Sequence, residues 1–143
     1  MASVRRHIRI ERPADDVWAR VGDVAGLHTW FPGIVDCVVD GRTRTITTGM
    51  GLPMPEEIVT HDPIARRFQY RITSPFFEHH LGTIDVFDLG DGTSLVSYAT
   101  DAVPDAMALI IGGATGGALA ELRRQLESDP PEERPAAGAE REA

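Results

Sequence analysis

Residues 82–128 read GTIDVFDLGDGTSLVSYATDAVPDAMALIIGGATGGALAELRRQLES, and the hydrophobic period changes in the middle of that stretch. As far as Thr100, apolar and polar residues alternate: Ile84 and Val86 against Thr83 and Asp85, then Val96 and Tyr98 against Ser97, with Gly90-Asp91-Gly92 between them. Period two around a glycine-rich turn is the pattern of two half-buried strands in a hairpin. Past Pro104-Asp105 the spacing of Met107, Ile110, Ile111, Ala114, Ala118, Leu122 and Leu126 is helical and predicts one long C-terminal helix ending near Ser128. An apolar helical stripe that follows antiparallel strands needs their sheet to cover it.

Working backward, turn signals at Asp40-Gly41, residues 49–55, Asp62-Pro63 and Ser74-Pro75, together with Gly90-Asp91-Gly92, divide residues 34–100 into six strands. Before them, His7-Ile8-Arg9-Ile10-Glu11 alternates as a strand, and Pro13-Ala14-Asp15-Asp16 opens a short helix running to about Val21. Residues 27–31 predict a second short helix stopped by Pro32-Gly33. The expected architecture is α+β: a curved antiparallel seven-stranded sheet gripping the C-terminal helix, with room between them. The folded domain is expected over residues 1–128. Residues 129–143, DPPEERPAAGAEREA, hold no large apolar side chain to offset their ordering entropy and are expected to form a disordered tail.

Composition removes several function classes. The chain has 143 residues and a net charge of −8, with 22 acidic against 14 basic groups, so it lacks the basic face that nucleic acid requires. No lysine is present, which excludes Schiff-base chemistry on a lysine amine. Walker-type, GxGxxG, HExxH and Ser/His/Asp patterns are absent, and His79 and His80 cannot both face one cavity from a regular strand, so neither cofactor nor metal is expected. One cysteine, Cys37, fits a reducing cytoplasm. The apolar run at residues 106–120 is expected to be too short and too glycine-rich to insert stably in a membrane.

Strand parity then nominates the cavity. The inner set is expected to include Val35 and Cys37, Arg44 and Ile46, Glu57, Tyr70 and Ile72, Ile84 and Val86, and Val96 and Tyr98. Glu57 is assigned inward together with Val59, although placing Ile58 inward fits the pattern equally. From the helix, Ile110 and Ala114 are expected to face the cavity, and His80 to stand at its mouth beside Leu52 and Pro53. Leu52 and Met54, set between glycine and proline, are costly to leave in water, so their loop is expected to close over something. Gly112-Gly113 and Gly116-Gly117 each cost about 1 kcal/mol in a helix, which calls for a wider cavity, a bend, or close packing against a second copy in a homodimer.

The Pro13-Ala14-Asp15-Asp16-Val17-Trp18 opening, Trp30-Phe31-Pro32 and Gly92-Thr93-Ser94-Leu95-Val96 resemble the START-like (SRPBCC) superfamily, in its polyketide cyclase/dehydrase-like branch. Gly51-Leu52-Pro53-Met54 and His79-His80-Leu81 are similar to the gate and latch loops of the plant abscisic-acid receptors. The resemblance implies a helix-grip fold with a gated cavity for an apolar ligand. Val35 stands where those receptors place a ligand-binding lysine, so hormone binding is not implied. The function expected is binding of an apolar or aromatic, polyketide- or lipid-like small molecule, as carrier, sensor or cyclase-like protein. The alternatives are a polyketide cyclase or dehydratase using Arg44, Glu57 and Tyr98, and a subunit using the gate loop at an interface.

Overall fold

A computed structural model of the chain describes residues 1–128; the tail expected at 129–143 lies outside the described residues. Strand β1 (Ala2–Ile10) leads into α1 (Ala14–Val21) and a 3₁₀ helix (Val24–Thr29). Six strands follow: β2 (Ile34–Asp40), β3 (Thr43–Thr48), β4 (Pro53–Asp62), β5 (Arg67–Ile72), β6 (His79–Asp88) and β7 (Ser94–Val103). The last element is α2 (Asp105–Ser128). Each strand from β2 to β7 pairs antiparallel with the next, and β1 returns to the free edge of β7, giving the order β1-β7-β6-β5-β4-β3-β2. This is the helix-grip architecture, with α2 laid on β1 and β7.

The 3₁₀ helix begins at Val24, three residues before the expected start at Leu27, and it contains Gly26. Gly26 acts there as a point of close approach, because a Cβ on it would lie 2.3 Å from the Asp23 carboxylate. Its carbonyl accepts the Thr29 hydroxyl at 2.6 Å.

Two strands carry bulges. In β2 the register steps from Ile34 opposite Thr48 to Asp36 opposite Thr47, leaving Val35 as the extra residue. In β4 it steps from Ile58 opposite Tyr70 to Thr60 opposite Gln69, leaving Val59 extra. A bulge moves every residue beyond it to the other face relative to unbroken counting. Val35 therefore points outward, 60% exposed, and Ile34 takes the inner place.

Helix α2 is unbroken through its glycines. Gly112 lies where a Cβ would meet Val4 at 2.6 Å, and its carbonyl accepts Arg6 Nε at 3.0 Å. Gly116 is 3.3 Å from Arg6 in the same sense, whereas Gly113 and Gly117 have open space beside them. The glycines thus include one pair that seats the helix on β1 and one pair that does not. The helix phase follows: two residues are about 200° around a helix, so with Gly112 on the sheet, Ile110 faces away and is 63% exposed. Ile110 does not reach the cavity, and Ile111 does. At 24 residues, α2 is longer than its apolar run suggested and passes a length-and-composition criterion for a membrane span. It nevertheless buries Ala108, Thr115, Leu119, Leu122 and Leu126 and serves as the core helix of the fold.

Gly113→Ala should raise stability by up to about 1 kcal/mol through helix propensity alone. Gly112→Ala should lower it by about 1–2 kcal/mol because Val4 must move. Urea denaturation of the two variants side by side checks the assignment, and equal effects would contradict it.

Candidate functional site

Between the inner face of β3 to β5, the residues after the 3₁₀ helix and the middle of α2 lies a cavity of about 170 Å³. Ile34, Ile46, Met54 and Ile72 line it from the sheet, Ile111 and Ala114 from α2, Leu27 from the 3₁₀ helix, and Phe31 from the link between that helix and β2. Glu56 and Tyr70 supply polar side chains deep in the fold, with Thr48 a further polar lining residue. The Phe31-Pro32-Gly33-Ile34 segment also borders an outer cleft, which includes His28, Trp30 and Gln125.

Glu56 and Arg44 are each 2% exposed, and Arg44 Nε donates to Glu56 Oε1 at 2.7 Å. Arg44 Nη1 donates to the Val24 carbonyl at 3.1 Å, and its guanidinium carbon lies 5.0 and 5.1 Å from the ring centres of Phe68 and Tyr70. The aromatic faces and the carboxylate together compensate a charge that burial alone would expel. Burial pushes the Glu56 carboxyl above the ordinary range, opposed by the charge and hydrogen bond of Arg44. Burial would lower the Arg44 guanidinium, yet Glu56 and the neighbouring tyrosines leave it raised, so arginine is the fixed charge of the pair.

Tyr70 reaches across β6 to Tyr98, the two hydroxyls standing 2.5 Å apart. The ring passes over Gly82, where a Cβ would lie 2.6 Å from it. Burial raises both phenols, so each stays protonated at neutral pH. His80 is buried rather than at a mouth: its Nδ1 accepts the Ile72 N–H at 2.9 Å, its ring packs on Tyr70 and Phe77, and burial lowers its pKa to about 4. Cys37 donates to the Val24 carbonyl at 3.5 Å, and burial raises its thiol out of the nucleophilic range.

The structure brings Ile46, Tyr70, Ile72 and Ala114 to the cavity and sets Arg44 and Tyr98 immediately behind its polar lining. Cys37, Ile84, Val86 and Val96 are buried in the packed core beyond the cavity lining. Glu57 does not take the place expected for it. It is exposed, opposite Arg71, and Glu56 occupies the inner position on the side of Ile58, because Val59, with which Glu57 was assigned inward, is the bulged residue. Leu52 and Pro53 also miss the cavity. Their loop folds onto Thr48, whose N–H donates to the Leu52 carbonyl at 3.0 Å, leaving Leu52 44% exposed and only Met54 inside. Glu56, Ile34, Phe31 and Ile111 line the cavity without having been nominated for it, and Met54 was singled out only as part of its loop. The signal for Met54 and Glu56 was present in Ile58, which shares their side of β4.

A helix-grip domain with an apolar internal cavity and a buried polar cluster is the class that this arrangement defines. Residues 1–127 match the family of polyketide cyclase/dehydrase and lipid transport proteins, and the chain belongs to that family. Among solved structures, XoxI from Bacillus cereus aligns with TM-score 0.84 and 23% identity over 90% of this chain and 97% of that one. An aromatase/cyclase from Streptomyces sp. R1128 aligns with TM-score 0.71 and 20% identity, covering 89% and 96%. A START superfamily protein from Mycobacterium smegmatis aligns with TM-score 0.70 and 17% identity, covering 87% and 98%. These likenesses show the fold. No curated protein matches the chain. Family membership supports a ligand-binding or cyclase-like role.

Glu56→Ala leaves a buried guanidinium without its carboxylate and should cost about 3–5 kcal/mol, whereas Glu57→Ala should stay within about 0.5 kcal/mol. Chemical denaturation separates the two, and a larger loss at Glu57 would reverse the assignment. His80 gives a pH signature. Its folded pKa of about 4 lies below the unfolded value near 6.5, so the unfolded chain binds the extra proton between those values and stability falls as pH drops from about 6.5 to 4. His80→Asn keeps an acceptor for the Ile72 N–H and removes the titration. The stability gap between wild type and variant should narrow by up to about 3 kcal/mol from pH 7 to pH 4; parallel curves would refute the buried neutral histidine.

Proposed function

We propose that this protein binds a small apolar or aromatic molecule in the cavity between the sheet and α2, as a carrier or sensor. The observation that carries this reading is the cavity's lining. Its walls are aliphatic and aromatic, with a few polar side chains, which is how small-molecule sites are built. A cavity of about 170 Å³ is below the ~300–1,000 Å³ range of drug-sized ligands, which favours one or two rings over a long acyl chain or an extended polyketide.

A cyclase or dehydratase is the second reading, favoured by the paired charges and tyrosines beside the cavity. Arg44 is poorly placed for it. Its guanidinium is held by Glu56, Val24 and two aromatic faces and does not line the cavity, so a ligand there does not meet it. Glu56 is the one cavity-lining side chain able to accept a proton from a ligand.

Titration with 2-methylnaphthalene should raise the melting temperature saturably, since a ligand at 100 times its Kd stabilises the folded state by about 2.7 kcal/mol. Ala114→Leu, which fills the cavity from α2, should weaken that binding at least tenfold (about 1.4 kcal/mol), while Gly113→Ala on the same helix should leave it unchanged. No stabilisation by 2-methylnaphthalene, or an unaltered affinity in Ala114→Leu, would count against the cavity as the binding site.

A further inference from the structure

We infer that the cavity selects a ligand carrying a hydroxyl group, held by Tyr70 as donor and Glu56 as acceptor. This rests on the cavity reading above and specifies its ligand. The protons and lone pairs at the polar lining do not all find partners within the protein. Tyr98 is fully buried, and among the described residues its hydroxyl has Tyr70 as its one hydrogen-bond partner. If Tyr70 donated to Tyr98, the Tyr98 proton would be left buried and unbonded, at a cost comparable to a lost hydrogen bond. Donation from Tyr98 to Tyr70 instead leaves the free proton on Tyr70, the one of the two residues that lines the cavity, where a bound acceptor can meet it.

Glu56 offers the complementary half. Arg44 Nε occupies Oε1, and Arg44 Nη1 is turned to Val24. Arg44 Nη2 has no acceptor at all, so it does not reach the second carboxylate oxygen. Among the described residues, that oxygen receives no protein donor, and Glu56 lines the same cavity as Tyr70. One donor and one acceptor thus border a single apolar space.

A hydroxyl is the smallest group that answers both, accepting from Tyr70 and donating to Glu56. An ether or carbonyl satisfies Tyr70 but sets its lone pairs against the carboxylate. A hydrocarbon satisfies neither. The ligand class is therefore a small phenol or alcohol on a one- or two-ring apolar body.

The test compares 2-naphthol with two close analogues, 2-methylnaphthalene and 2-methoxynaphthalene, by calorimetric titration of the wild-type protein. A hydrogen bond to a charged group predicts 2-naphthol tighter than either analogue by at least about tenfold. Glu56→Gln keeps an amide oxygen for Arg44 and turns an NH₂ toward the cavity, so the preference for 2-naphthol over 2-methoxynaphthalene should shrink or invert. Tyr70→Phe should reduce the affinity for both oxygenated ligands without weakening 2-methylnaphthalene. Equal binding of all three by the wild type would overturn the hydroxyl inference and leave the cavity reading standing. A preference for 2-naphthol that survives unchanged in Glu56→Gln would also overturn it. Binding of none of the three would remove both.

Discussion

The buried Arg44–Glu56 pair is the constraint on which the inner half of this molecule is arranged. A charge that far from water is tolerated only where other groups replace its hydration. Here the replacement comes from four places at once: the Glu56 carboxylate, the Val24 carbonyl, and the faces of Phe68 and Tyr70. The four partners come from three different elements. Glu56 is on β4, Val24 opens the 3₁₀ helix, and the two rings stand on β5. Satisfying one guanidinium therefore fixes the face of β4, seats the 3₁₀ helix against the sheet, and holds two aromatic rings in a stack 5.9 Å apart. Cys37 reinforces the second of these by donating to the same Val24 carbonyl.

The same arrangement shapes the cavity. With Arg44 engaged on Oε1, Glu56 lines the space under α2, and Tyr70, lying over Gly82, lines the same space. Gly82 matters because any side chain there would lift the ring and part it from Tyr98. Small residues do comparable work on the helix. Gly112 lets α2 approach β1 closely, and that approach sets the phase that turns Ile111 and Ala114 inward. A residue with no connection to a ligand thereby decides which side chains the ligand can meet.

The architecture was legible in the sequence because its signals are long and redundant. Six alternating segments separated by glycine and proline turns, followed by a helical stripe, leave few arrangements open. The site was less legible because its face assignments depend on single-residue events. The bulges at Val35 and Val59 each insert one residue into an otherwise regular ladder, and neither position carries a glycine or proline to announce it. Counting by twos then exchanged Val35 for Ile34 and Glu57 for Glu56, in each case choosing the immediate neighbour. The helix failed in the same way. Ile110 and Ile111 are indistinguishable by hydrophobicity, and the contact that separates them, Gly112 against Val4, joins residues at opposite ends of the domain.

The polar atoms that the core leaves unpaired show what this part of the fold is under pressure to preserve. Trp30 Nε1, Arg44 Nη2, His80 Nε2 and Thr100 Oγ1 are buried with no hydrogen-bond partner among the described residues. The last three lie around Tyr70: Arg44 stacks on its ring, His80 packs beside it, and Thr100 is in register with Gly82, over which the ring lies. An unsatisfied buried group costs about 1–3 kcal/mol, and aliphatic residues of similar volume would avoid that. A core selected for stability alone would not gather three such groups around one tyrosine. Their concentration around one tyrosine that lines the cavity is the departure from local rules expected where a site, rather than the fold, dictates the residues.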